Sequence, residues 1–301
     1  MPSIPLSCTS APRIEDLRIK LFADGADLSG ILTIYKNSWI KGFTTNPTLM
    51  RKAGILDYEA FARNLLRLVP DRPVSLEVFA DNEESMEAQA RVIASWGPNV
   101  NVKIPVTNQD GVFMGPLIQR LSRAGITVNV TAILTLYQVE SVAAALHPAT
   151  PAIVSVFAGR IADTGVDPVP IMKQARQLLV ARPHAELLWA SPRELLNIFQ
   201  TDNAGCHITT IPPEIPAQTL KASSTAAKAP PSSTTTPPVP EKPILTTKST
   251  QIPPAASKLP PKIPIAALNS EIVSNISSRA GARPNTGSSG KIGRASCRER
   301  V

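Results

Sequence analysis

The chain of 301 residues is poor in cysteine and in aromatic residues, with three cysteines and only 4% Phe, Trp and Tyr. Cys8, Cys206 and Cys297 are too few and too scattered for a disulfide framework or a metal cluster, so a reducing, cytoplasmic setting is expected. No stretch reaches the roughly 18 apolar residues of a membrane span, and no membrane partner is expected. The opening MPSIPLSCTSAPRIEDLR lacks the basic start and long apolar core of a secretory leader. A phosphate loop is missing too. ADGADLSG fits neither the G-x-G-x-x-G nor the G-x-x-x-x-G-K-S/T spacing, which argues against an open nucleotide-binding sheet. The net charge of +8 misleads, because residues 1–210 carry 19 Lys and Arg against 19 Asp and Glu, whereas residues 211–301 carry 12 against 4. The basic excess belongs to the C-terminal stretch, so no nucleic-acid partner is expected for the rest. That stretch also has no aromatic residue and holds 15 of the 30 prolines, a composition that reads as disordered.

What is present is a regular alternation. Strand-like stretches cover 19–24, 39–45, 74–80, 99–107, 126–131, 152–158, 185–191 and 206–211. Helical patterns cover 27–37, 57–68, 84–96, 112–124, 135–146 and 169–181, and a seventh opens at PRELLNIFQT with Pro192 in its first turn. Asp27 reads as an N-cap. Repeated strand–helix units with short connections imply parallel strands and right-handed crossovers. Eight of them predict an α/β fold, a (β/α)8 TIM barrel over 17–211. The residues from 212 to 301 break the pattern: Pro212, Pro213 and Pro216 forbid a final helix through their positions, which would leave strands eight and one short of apolar cover.

The stretch NVNVKIPVT is the most informative. Val100, Val102 and Ile104 alternate with Asn99, Asn101 and Lys103 at period two. If the apolar set faces covering helices, Lys103 faces the barrel interior, where an ammonium is costly unless paired or neutralised. It either snorkels or pairs with a carboxylate, or desolvation turns its amine into a nucleophile for a carbonyl. Polar residues near the carboxyl ends of the other strands are Asp24, Thr44, Thr45, Asn46, Glu77, Asn129, Thr131, Ser155, Ser191 and His207 or Thr209, with Arg160 and Arg193 just beyond. A lysine, two carboxylates, amides, hydroxyls and two arginines together suit an imine-forming enzyme acting on sugar phosphates. Each also has a plainer reading: Asp24 as a structural partner of Lys103, Asn46 as a turn residue, Ser191 as a helix cap. Cys206 reads as buried filler and His207 as a packed, hydrogen-bonded group.

The stretches FADGADL, KGFTTNPTLM, SLEVFA, NVKIPVT, GITVNVTA, SVFAGRIADTG and LLWASPRELLNIF, in this order, resemble the transaldolase family, in the compact bacterial-type branch that includes fructose-6-phosphate aldolase. The resemblance covers about residues 18–211. It implies Lys103 as the Schiff-base lysine, Asp24 as the group handling protons, and Glu77 with Thr131 holding the catalytic water. Asn46 and Asn129 would orient substrate, Ser155 would contact the dihydroxyacetone part, and Arg160, Ser191 and Arg193 would form the phosphate site. The implied reaction moves a dihydroxyacetone unit between sugar phosphates in the pentose phosphate pathway, with no metal and no organic cofactor. Glu77 and Phe157 follow the pattern of the transferase rather than the aldolase that releases free dihydroxyacetone. Two other readings stay open: that aldolase, and an inactive barrel with the C-terminal stretch as a docking arm. A homo-oligomer is compatible with all three. The closing KIGRASCRERV resembles the translation of a sequencing adapter, so a gene-model artefact is expected there.

Overall fold

A computed structural model of the chain describes residues 14–212. After a short turn of 3-10 helix at Ile14–Asp16, strands and helices alternate: β1 (Lys20–Asp24), α1 (Leu28–Tyr35), β2 (Ile40–Thr44), α2 (Pro47–Lys52), α3 (Tyr58–Leu68), β3 (Val74–Glu77), α4 (Glu83–Ala94), β4 (Val100–Pro105) and α5 (Gly115–Arg123). They continue with β5 (Val128–Ile133), α6 (Leu136–Ala145), β6 (Ala152–Val156), α7 (Ala158–Asp163), α8 (Pro168–Leu178), β7 (Ala185–Trp189), α9 (Leu195–Asn203) and β8 (Ile208–Ile211). The eight strands run parallel in sequential order and close, with β1 pairing β8 from Lys20 opposite Ile208 to Ala23 opposite Ile211.

Local chemistry explains the boundaries. Asp27 caps α1, its carboxylate accepting from the N–H groups of Ser29 and Gly30. Thr135 and Gln138 form a reciprocal cap at the start of α6. Along α3 the buried Tyr58, Phe61, Ala62, Leu65 and Leu66 recur at helical spacing and press one face onto the barrel. In β4 the outward Val102 and Ile104 are fully buried under the helices, which turns Asn101 and Lys103 inward.

Three expectations change. The segments NPTLMRK and AGRIAD form the short helices α2 and α7, each a six-residue piece too brief to show a helical period. Pro192 lies outside the helix that follows it: α9 starts at Leu195, because the Asn197 side chain accepts from the N–H groups of Arg193 and Glu194 and sets the first turn there. The bare faces expected on β1 and β8 are covered, since Leu21, Ala23, Thr209 and Ile211 are all buried. Beyond Pro212, the expectations for the C-terminal stretch lie outside the described residues.

Candidate active site

At the carboxyl ends of the strands the barrel opens into a cavity of about 300 Å3. Lys103 rises from β4 at its floor. Pairing of β3 with β4 sets Glu77 opposite Lys103, and pairing of β4 with β5 sets Asn129 on its other side. The Lys103 ammonium Nζ lies 3.1 Å from Glu77 Oε2 and donates to the Thr45 carbonyl at 2.9 Å. Both charged residues are buried, Lys103 at 7% and Glu77 at 2% exposure, so the contact is little screened by solvent. Behind Glu77, the Tyr58 hydroxyl donates to the Glu77 carbonyl at 3.0 Å. Burial first, then the Glu77 charge, pushes the Tyr58 phenol well above its ordinary range, so it remains a donor.

A second chain of bonds holds the amide beside the lysine. Asn129 Nδ2 donates to Ser75 Oγ at 3.0 Å, and Ser155 Oγ donates to Asn129 Oδ1 at 2.7 Å. Across the cavity the Thr44 hydroxyl donates to Asp24 Oδ1 at 3.0 Å. Asn46 caps α2 through Oδ1, which accepts from the Leu49 N–H at 2.9 Å, so the turn-residue reading holds for its oxygen while the side chain also lines the cavity.

At the rim, Arg193 Nε donates to Asp163 Oδ1 at 3.1 Å, its Nη2 reaches Asp163 Oδ2, and Arg160 Nη1 lies 3.6 Å from that same oxygen. The Arg193 guanidinium beside Asp163 holds that carboxyl below the usual range, with Arg160 adding to the effect. One acid therefore gathers two cations on one side of the opening. Ser191 adopts φ 58°, a conformation a non-glycine residue rarely takes. Its carbonyl packs so closely on Gly159 that a Cβ there would overlap it.

Of the ten residues to which the resemblance gives a role, nine line the cavity: Lys103, Asp24, Thr131, Asn46, Asn129, Ser155, Arg160, Ser191 and Arg193. Glu77 sits just beneath, in contact with Lys103. On β8 the expectation of His207 or Thr209 is wrong. Thr210 faces the cavity, because closure on β1 places it opposite the inward Phe22. His207 instead accepts from the Leu187 N–H through Nδ1 at 2.8 Å, the packed role expected of it. Cys206 is buried and its thiol is pushed up to about 12 by burial, the inert filler expected. Thr48 and Lys52, also at the opening, were missed. They sit on α2, and recognising that helix as part of the rim was the one signal available.

The family model described as Transaldolase/Fructose-6-phosphate aldolase matches residues 21–250. The chain belongs to this family. Among curated transaldolase relatives, a "probable transaldolase" of Dehalococcoides mccartyi is 33% identical over 204 residues, 67% of this chain and 91% of the relative. A "probable transaldolase 2" of Listeria monocytogenes is 36% identical over 195 residues, 64% of this chain and 85% of the relative. A "probable transaldolase" of Streptococcus agalactiae is 35% identical over 195 residues, 64% and 86%. The chain is thus an enzyme of the transaldolase/fructose-6-phosphate aldolase family. Among the described residues, no helix is long and apolar enough to cross a membrane.

Proposed function

We propose that the protein is a transaldolase that transfers a dihydroxyacetone unit from a ketose phosphate, such as sedoheptulose 7-phosphate or fructose 6-phosphate, to an aldose phosphate through an imine on Lys103. The single observation that carries this reading is the buried Lys103–Glu77 contact at 3.1 Å, at the floor of a cavity that also exposes Asp24. Catalysis is assigned to residues 17–211, in the cytoplasm, where phosphorylated sugars are held.

The chemistry follows from these positions. The Lys103 ammonium passes a proton to Glu77, directly or through a water that Glu77 and Thr131 hold. The free amine attacks the ketose carbonyl carbon, and loss of water gives a protonated imine. Asp24 then takes the proton from the hydroxyl two carbons further along. The bond joining that hydroxyl-bearing carbon to the carbon next to the imine breaks, its electron pair forms the enamine double bond as the C=N pair moves to the iminium nitrogen, and the enamine remains on Lys103 as the aldose phosphate departs. The acceptor aldehyde repeats these steps in reverse, with Asp24 returning the proton to the new alkoxide. Asn129, fixed by Ser75 and Ser155, orients the imine and the hydroxyls beside it, while Asn46 orients the hydroxyls on the α2 side. Arg160 and Arg193, with Ser191, hold the phosphate by charge-assisted bonds.

Transfer is favoured over release of free dihydroxyacetone because Phe157, Leu188 and Ala190 line the cavity with apolar surface. Phe157 has no hydroxyl to hold a water that would protonate the enamine.

Borohydride reduction with fructose 6-phosphate, followed by peptide mapping, tests the reading. The expected adduct is on Lys103, absent from Lys103→Ala. Asp24→Ala should still trap the adduct while turnover falls about 10²-fold or more. An adduct on another lysine, or none, would overturn the reading. Turnover of fructose 6-phosphate without erythrose 4-phosphate, at the rate seen with it, would identify the aldolase instead.

A further inference from the structure

The barrel has a second opening, which the proposed reaction does not use. At the amino ends of the strands lies a cavity of about 510 Å3, larger than the one of about 300 Å3 at the carboxyl ends. Phe22 and Ile153 floor it, and both belong to an apolar cluster that also includes Leu188, Phe157 and Ala190, which line the upper cavity. Packed side chains therefore divide the two.

Three features of this lower opening go beyond what closing a barrel requires. First, the β1–β2 register jumps from Leu21 opposite Ile40 to Phe22 opposite Gly42. Lys41 is the extra residue of this bulge, and it lines the cavity. Bulges re-aim side chains in this way. Gly42 makes the arrangement possible, since a Cβ there would lie 2.6 Å from the Phe22 ring. Second, Lys20 is already matched: its Nζ lies 2.8 and 3.0 Å from the two oxygens of Glu186. Lys41 has no acidic partner among the described residues, so one positive charge at this opening is unbalanced. Third, Asn101 points into the barrel from β4 and lines the cavity. Its amide opens onto the cavity, where its N–H groups can be offered to a group that arrives from outside. Thr127 and His184 add a hydroxyl and an imidazole to the same wall.

An ammonium, an amide, a hydroxyl and an imidazole from four separate segments at or just before the strands, over an apolar floor, suit an anion with several acceptor oxygens and a short carbon body. A phosphate monoester has three such oxygens and a charge of about −1.5 to −2 near neutral pH. We infer that the amino-terminal opening of the barrel is a second binding site, for a small phosphorylated metabolite, separate from the reaction cavity.

Equilibrium dialysis of the full chain against inorganic phosphate tests this. Wild type should bind two equivalents. Lys41→Glu and Asn101→Leu should each weaken one of them at least about tenfold, with turnover in phosphate-free buffer unchanged. Lys41 is exposed at the surface, so its variant should keep the fold, and Lys41→Met checks charge loss against charge reversal. Arg160→Ala combined with Arg193→Ala should remove the other equivalent. If the Lys41 and Asn101 variants bind phosphate as wild type does, the inference is overturned. If only the arginine pair leaves the isotherm unchanged, the phosphate role of the upper cavity fails and the lower site stands.

Discussion

Lys103 and Glu77 raise a question of stability as well as of chemistry. Both are buried and lie 3.1 Å apart, so removing either strands the other as an uncompensated charge, at about 3–5 kcal/mol. Lys103→Ala should therefore lower stability to urea as well as abolish turnover. A Lys103→Met, Glu77→Gln double variant, which leaves no charge behind, should recover most of that stability and remain inactive. A double variant as unstable as the single one would show that the Glu77 charge is not what destabilises it. Gly159 makes a second residue-scale case, because any Cβ would overlap the Ser191 carbonyl. Gly159→Ala must shift the loop that carries Ser191 and Arg193. It should raise KM for phosphorylated substrates more than it lowers kcat, and equal KM values would count against Ser191 and Arg193 as phosphate-binding groups.

Helices and strand pairs place these residues. Asn46 performs two tasks at once: its oxygen caps α2, and the same side chain faces the cavity. Asp27 only caps, so Asp27→Ala should cost about 1 kcal/mol, the usual loss for an N-cap, and leave KM alone. A change in KM would show that α1 shapes the site. The β7–β8 pair carries a pH dependence through His207, which accepts the Leu187 N–H through Nδ1. Burial first, then the charges of Arg176 and Lys20, lower its pKa below 6.5, with Glu186 opposing. The unfolded chain thus binds the proton more readily than the folded one. This contribution to stability is complete above 6.5 and is lost as pH falls through the folded value. The melting temperature of wild type should fall as pH drops below 6.5, while that of His207→Asn should fall less. Parallel curves would remove His207 from the account.

On the scale of the whole molecule, the barrel is a closed ring with a plug. Phe22, Ile153, Leu188 and Ile208 fill its interior between the two openings. Phe22→Ala should cost about 3–5 kcal/mol in urea unfolding, and the cavity it leaves should join the two openings. A much smaller loss would mean the interior collapses to fill the space. Eight strands, the inward turn of Lys103 and most of the site were legible in the sequence, because period-two and helical patterns record which side of each element is apolar. Asp24, Glu77 and Asn129 could be placed at strand ends for the same reason. The short helices α2 and α7 were not legible, since six residues hold no full period. Patterning likewise could not choose Thr210 over His207 and Thr209, find Asp163 gathering Arg160 and Arg193, or bring Lys41 and Asn101 to one opening. Those facts depend on which strand pairs with which, and in what register, and hydrogen bonds between segments far apart in the chain set that register only when the ring closes.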